Sequence, residues 1–201
     1  IYPKFAKQPI KEEYLLSGKL EQTNEPYAIA KIAGLKLCES YNKQYKTNFK
    51  CLMPCNLYGP NDNFDLQNSH FLPAIISKFH SAHRSNEKKI KLWGTGTPKR
   101  ELMHVRDLAL AIEKFINLRI DETLINIGSG YDKTIRYYAK TIQKLMFKDV
   151  KRIIFDNRKH MNGTQRKLLD VSLAKKYKWK TTVSLEDGLK SVINHFCKKN
   201  I

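Results

Sequence analysis

The chain has no run of apolar residues near the roughly 18 that a membrane span requires. Its richest stretch, residues 28–37, is broken by Lys31, Gly34 and Lys36. No secretory leader is expected, because Lys4 and Lys7 lead into Pro9 and further charge rather than an apolar core. Cysteine is scarce: Cys38, Cys51, Cys55 and Cys197 are the only four in 201 residues. That usage reads as reduced thiols of a cytoplasmic protein. Cys51 and Cys55 have a C-x3-C spacing, but no second Cys or His pair follows at ligand spacing, so no metal site is expected. Glycine is sparse where a nucleotide-binding chain would need it. Neither Gly94-Thr95-Gly96 nor Gly128-Ser129-Gly130 extends to a G-x-x-G-x-x-G or G-x-G-x-x-G run between a strand and a helix. No pyrophosphate cradle is therefore visible in the chain. No internal repeat and no low-complexity segment appears.

Acidic residues are also few. Nineteen Asp and Glu stand against 37 Lys and Arg, a net charge of +18 with a pI near 9.7. One reading is a nucleic-acid or other anionic partner; the other is lysine dispersed over solvated faces. The lysines fall in scattered pairs such as Lys88–Lys89 and Lys175–Lys176, without a block of five or six like charges or an aromatic-interleaved basic stripe. No specific nucleic-acid partner is expected, and a polyanionic small ligand could use the excess charge under either reading.

What is present is enough for a core: 41% hydrophobic and 28% charged residues, one ordinary domain or one and a half small ones. Buried-strand patterns occupy residues 47–53, 89–93, 124–127 and 150–155. Helical periodicity covers residues 26–45, 70–83, 107–118, 134–147 and 184–197. Pro26 suits a first helical turn, with Thr23 and Asn24 as candidate caps. Ser184 with Asp187, and Ser172 after Asp170, offer further caps. Loops cluster at residues 58–69 and 157–165. Strands alternating with helices give an α/β class with a mainly parallel sheet.

The strongest chemical pattern is Tyr27-Ala28-Ile29-Ala30-Lys31. Positions i and i+4 share a helix face. An ammonium one turn from a phenol favours the phenolate, so the pair can give or take a proton at a carbonyl or hydroxyl. Alone, Tyr-x-x-x-Lys also describes any helix with an aromatic and a lysine on its edge.

The pattern does not stand alone. It is followed by Pro54-Cys55-Asn56-Leu57-Tyr58-Gly59-Pro60, then Asn68-Ser69-His70, Trp93-Gly94-Thr95-Gly96-Thr97-Pro98, Arg100-Glu101, His104-Val105-Arg106-Asp107-Leu108 and Arg166-Lys167-Leu168-Leu169-Asp170. Over residues 1–196 this series resembles the extended short-chain dehydrogenase/reductases. Within them it is most similar to the enzymes that epimerise and reduce GDP-4-keto-6-deoxy-D-mannose to GDP-L-fucose. The resemblance implies part of a Rossmann-like doubly wound parallel sheet plus a smaller C-terminal substrate-binding subdomain. Residues 1–60 would be the C-terminal part of the NADP-binding domain. Residues 61–201 would form mainly the GDP-sugar subdomain, with one or more segments returning to the first. Because Ile1-Tyr2-Pro3 follows a Ser-Ser-Cys segment in the family, the chain is expected to be a C-terminal portion. The Gly-rich half, the catalytic Ser and the epimerisation Cys would then precede it, and the portion alone would be inactive.

By the same resemblance, Tyr27 protonates the substrate oxygen as hydride arrives from NADP(H), and Lys31 holds the nicotinamide ribose. His70 is implied as the acid/base of epimerisation and as a coenzyme neighbour; an imidazole titrates near neutrality, which suits that work. Pro54, Cys55, Asn56 and Leu57 line the coenzyme. Lys78, Trp93, Arg100 and Asn162 meet the GDP-sugar, with Arg166 and Lys167 nearby. A cytoplasmic homodimer is implied, with helix 26–45 at its interface. Three departures stand out: Cys55 where the family has Thr, Asn162 where it has Asp, and Arg106 in place of the first Asp of His-Val-Asp-Asp-Leu. Alternative readings are another sugar-nucleotide epimerase or dehydratase of the same family, a non-catalytic remnant, or a basic nucleic-acid-binding module.

Overall fold

The computed structural model describes residues 1–66, 68–146, 150, 152–158 and 162–199. Phe147 at the end of one expected helix, Lys151 inside an expected strand, and residues 159–161 of the second expected loop lie outside them.

After an N-terminal segment bearing short 3-10 turns, helix α1 spans Glu25–Tyr45 with Pro26 in its first turn. The expected caps are not used. Asn24 makes no side-chain cap bond; instead the 3-10 turn Gln22–Asn24 runs straight into the helix. α1 ends at Lys46 in the left-handed region, φ 56°. The strand expected from residue 47 begins only at β1, Cys51–Pro54. Asn42 is the reason. Its Oδ1 accepts from Phe49 N (2.8 Å) and Thr47 Oγ1 (2.9 Å), and its Nδ2 donates to Phe49 O (2.9 Å). These bonds hold groups that a longer strand would have paired in a ladder.

β1 pairs in parallel with β5, Leu124–Ile127, in register Cys51↔Leu124 through Pro54↔Ile127. β2, Asn56–Tyr58, pairs in parallel with β4, Lys99–His104. β4 also receives β6, Asp132–Thr134, antiparallel, and β8, Arg166–Lys167, parallel. β3, Lys89–Leu92, pairs in parallel with β7, Arg152–Phe155. The α/β class holds and the pairing is mainly parallel, distributed over three small sheets.

Two main cores follow. The larger gathers Leu72, Ile75, Ile76 and Phe79 of α2 (Phe71–Arg84), Tyr138 and Ile142 of α4 (Ile135–Leu145), and Leu189, Val192 and Phe196 of α6 (Leu185–Lys199) around β3 and β7. The other joins Ile125 and Ile127 of β5 to Ala111 and Phe115 of α3 (Val105–Ile116), Ala174 of α5 (Ser172–Lys176) and Trp179. In both, buried positions recur at helical spacing, so one stripe of each helix leaves water. The caps differ in detail from expectation. Ser184 Oγ does accept from Asp187 N (3.1 Å), but before α5 the acceptor is Asp170 Oδ1, bound to Ser172 N at 2.8 Å.

Buried polar groups knit these layers. Glu101, 1% exposed, accepts from Gly130 N (2.7 Å) and Leu169 N (2.8 Å). Asp107, at the departure noted beside Arg106, accepts from Thr182 N and Oγ1 at 2.8 Å each, a structural task. Among the described residues no helix is long and apolar enough to cross a membrane.

Candidate active site

Asn42 anchors the far end of α1: it binds Phe49 and Thr123, which precede β1 and β5. Tyr27 is fifteen residues before Asn42, roughly 22 Å along the helix axis at 1.5 Å per residue. The Tyr27 end of the helix therefore stands well away from that anchor.

There Lys31 Nζ lies 5.6 Å from the centroid of the Tyr27 ring, and Tyr27 is 57% exposed. Helical spacing has brought phenol and ammonium onto one exposed face, as proton transfer to a docked ligand requires.

Residues 54–57 run from the last residue of β1 into β2. Cys55 N donates to Ile127 O (2.9 Å), and Asn56 Nδ2 donates to Glu101 O (3.2 Å). Burial, with the Glu101 carboxylate nearby, pushes the Cys55 thiol far above its ordinary range. Cys55 packs beside Leu57 against the second core and behaves as a small apolar group. His70 precedes α2 in extended backbone (φ −66°, ψ 164°). Its carbonyl accepts from Ala74 N (3.1 Å), while its side chain is exposed and makes no cap.

The remaining expected residues collect around the turn after β3. Lys78 Nζ sits 4.7 Å from the Trp93 ring centroid and donates to Lys91 O (3.0 Å). Burial lowers the Lys78 pKa, and Asp156 partly offsets it. Trp93 is 51% exposed, so an indole face remains free. Arg100 Nη2 donates to Asn162 O (3.2 Å) and Nη1 to Lys99 O (2.8 Å). Burial lowers the Arg100 pKa. Asn162, 8% exposed, accepts at Oδ1 from Thr95 N (2.9 Å) and Thr95 Oγ1 (3.2 Å). Its side-chain oxygen is thus engaged within the protein. Gly96, φ 73°, is required here: a Cβ would stand 2.5 Å from the Phe155 ring. Arg166, expected near the nucleotide, is bound to Asp132 (Nε to Oδ2 2.5 Å).

The sequence reading missed three members of this cluster. Asp156 accepts from Gly94 N (2.8 Å) and from Arg158 Nε (2.9 Å) and Nη2 (2.6 Å), which holds its carboxyl down to about 2. Arg136 Nη2 donates to Thr95 O (2.8 Å). The turn 94–97 is clamped by groups up to 67 positions away, for which no local pattern exists.

For a dinucleotide, the described residues fit one flank. An exposed phenol and ammonium on one helix face suit a nicotinamide ribose and a proton transfer. Among the described residues no Gly-rich turn leads from a strand into a helix, so they offer no pyrophosphate cradle.

Residues 1–128 match the family described as NAD dependent epimerase/dehydratase family. The chain is 49% identical over 206 aligned residues to a GDP-L-fucose synthase of Escherichia coli (strain K12), covering 98% of this chain and 63% of that protein. It is 47% identical over 189 residues to a probable GDP-L-fucose synthase 1 of Oryza sativa subsp. japonica, 94% of this chain and 57% of the relative. The chain thus spans less than two thirds of these relatives. A crystal structure of a GDP-D-glycero-L-gluco-heptose synthase from Campylobacter jejuni, in the presence of NADPH, superposes with a TM-score of 0.84 at 33% identity. It covers 98% of this chain and 67% of that one.

Proposed function

The chain belongs to the NAD dependent epimerase/dehydratase family, and on that footing we propose that it carries the proton-donating and GDP-sugar-holding part of an NADP(H)-dependent enzyme. That enzyme epimerises GDP-4-keto-6-deoxy-D-mannose and reduces it to GDP-L-fucose. NADPH, when bound, supplies the hydride. Tyr27 delivers the proton to the oxygen at carbon 4, and Lys31 stabilises the phenolate left behind and holds the ribose hydroxyls. His70 exchanges protons at the carbons flanking the keto group, with Pro54, Cys55, Asn56 and Leu57 forming the coenzyme wall. Lys78 and Arg100 meet the diphosphate, Trp93 offers its free face, and Asn162 positions the 94–97 turn. The observation that carries the reading is the Tyr27–Lys31 pair, with the ammonium 5.6 Å from the ring centroid on an exposed helix face.

The division into a coenzyme domain over residues 1–60 and a substrate subdomain over 61–201 draws support from the two cores. The packing of Leu52 and Cys55 with Phe115, Ile125 and Trp179 in one core supports segments that return to the first domain. A homodimer through α1 is supported by Ile29, Leu37, Tyr41 and Tyr45, all exposed along that helix. Four free thiols fit a cytoplasmic setting.

A second reading, reduction at carbon 4 without epimerisation, is favoured by the likeness to a GDP-mannoheptose C4 reductase from Campylobacter jejuni, 34% identical with a TM-score of 0.82. The test is to supply NADPH and GDP-4-keto-6-deoxy-D-mannose to the natural protein that contains this chain and to identify the product by NMR. GDP-L-fucose is expected. A reduced sugar with carbons 3 and 5 unchanged supports the second reading, and no NADPH oxidation overturns both.

A further inference from the structure

β7 pairs with β3 alone among the described strands. Its bonds to that side run from Arg152 N to Lys88 O (3.1 Å) and from Asp156 N to Leu92 O (3.0 Å). Alternate residues of a strand turn their amides to opposite edges, so Ile153 and Phe155 direct theirs to the edge that no described strand covers. The same two residues, with Arg152, form one wall of a cleft of about 180 Å³. Its other wall is α4, through Arg136, Lys140 and Gln143. These stand at i, i+4 and i+7 and so share one helix face.

The lining holds three cations and no carboxylate. Among the described residues no salt bridge engages Arg136, Lys140 or Arg152. Like charges around one cleft repel, and more so beside the apolar Ile153 and Phe155, where water screens them less. Part of the lining is fixed in place. Arg136 stacks on Phe155, with Cζ 4.2 Å from the ring centroid, and its Nη2 donates to Thr95 O (2.8 Å). Gln143 Nε2 donates to Val150 O (2.8 Å). The remaining N–H donors of the Arg136 fork are left for a ligand. Lys140 and Arg152 are exposed.

We propose that the cleft between α4 and β7 binds the phosphate group of a small dissolved anion, orthophosphate or a phosphomonoester. Arg136, Lys140 and Arg152 neutralise its charge, and the outward amides of Ile153 and Phe155 are further donors in the same wall. The volume suits one such group and not a whole nucleotide, since pockets that bury drug-sized ligands run to roughly 300–1,000 Å³. The lining shares no residue with Lys78, Trp93, Arg100 and Asn162, so the proposal stands or falls apart from the enzymatic reading.

The test titrates orthophosphate, and separately glycerol 3-phosphate, into the natural protein that contains this chain. Calorimetry reads binding, with sodium chloride holding the ionic strength constant. A parallel sedimentation arm uses phosphatidylcholine vesicles that carry phosphatidic acid. Both soluble anions are expected to bind, and binding should persist in Arg100→Met, which removes a cation proposed to meet the GDP-sugar. The double variant Lys140→Gln/Arg152→Gln should weaken both about 10- to 100-fold, the worth of one or two charge-assisted bonds. Its two changes are at exposed residues, so its thermal midpoint should match the native one. Lys140→Arg/Arg152→Lys keeps both charges and should retain most of the affinity. Equal affinity in the native protein and Lys140→Gln/Arg152→Gln, no binding at millimolar phosphate, loss of binding in Arg100→Met, or attachment to the phosphatidic acid vesicles alone would each overturn the proposal.

Discussion

Arg100 donates its Nη2 to the backbone carbonyl of Asn162 at 3.2 Å, and the Asn162 side chain receives the amide of Thr95 at 2.9 Å, so one guanidinium and one amide fix the turn beside Trp93. Both groups that Arg100 binds among the described residues are carbonyls, which leaves its guanidinium without a bonded carboxylate there. A planar fork in that state fits a diphosphate. Arg100→Met should weaken GDP binding about 10- to 100-fold by calorimetry, since a charge-assisted bond is worth roughly 1.5–3 kcal/mol. Its thermal midpoint should change little, because removing a half-buried unpaired cation offsets the lost carbonyl bonds. Unchanged GDP affinity would assign Arg100 to holding the turn alone.

Tyr27 and His70 should separate reduction from proton exchange. Tyr27→Phe removes one hydroxyl from an exposed ring and should cut NADPH oxidation about 10²–10⁴-fold, the usual worth of a general acid. Deuterium exchange from solvent into the keto sugar should stay measurable. His70→Asn should do the reverse, slowing exchange more than reduction. Equal loss of both steps in Tyr27→Phe, with the GDP-sugar still bound, refutes this division of labour.

The helices were legible because packing preserved their period: Leu72, Ile75, Ile76 and Phe79 are buried as the i, i+3, i+4, i+7 pattern of α2 requires. The strands were less so. β4 opens on Lys99-Arg100-Glu101, which shows no apolar alternation, and its buried Glu101 is tolerated only because backbone amides from Gly130 and Leu169 reach it. The start of β1 was misread because Asn42 holds Phe49 through its side chain, a contact seven residues away that no propensity encodes. At the site, Tyr27 and Lys31 share a helix face as their spacing requires, and Lys78 lies over the Trp93 ring, a contact no local pattern announces. The Asp156–Arg158 clamp on Gly94 did not announce itself, since Asp156 reaches across 62 positions.

Glu101 should make stability depend on pH in a direction opposite to a salt-bridged acid. Burial raises its folded pKa above the ordinary 4.5, against the pull of the amides it accepts. Between the two values the folded state binds more protons than the unfolded state. Its contribution therefore grows as pH falls toward about 4.5 and is lost as pH rises through the folded pKa. Glu101→Gln abolishes the titration and sets an NH₂ against Gly130 N or Leu169 N, at a cost of about 1–3 kcal/mol. Denaturant melts should show the gap between native chain and variant widening from pH 8 to pH 5; a gap that narrows contradicts the assignment.

His104 should act with the other sign. It is 7% exposed, and its Nδ1 accepts from Arg106 N at 3.2 Å to cap α3, while Nε2 is buried with no protein partner among the described residues. The cap needs a lone pair on Nδ1, so it needs the neutral ring. Burial lowers the His104 pKa, with Arg106 adding to that effect and Asp107 opposing it. Below the ordinary value near 6.5 the unfolded chain takes up a proton that the folded chain refuses. Stability from this group is therefore complete above pH 6.5 and drains away as pH falls toward the folded pKa. His104→Asn keeps an acceptor at the cap position, where Asn is among the favoured residues, and removes the titration. The native chain should thus lose more of its thermal midpoint than the variant between pH 7.5 and pH 5.5. Parallel losses would mean that the ring is charged in the fold. Arg106 N would then have no acceptor on Nδ1, and the cap would have to come from elsewhere.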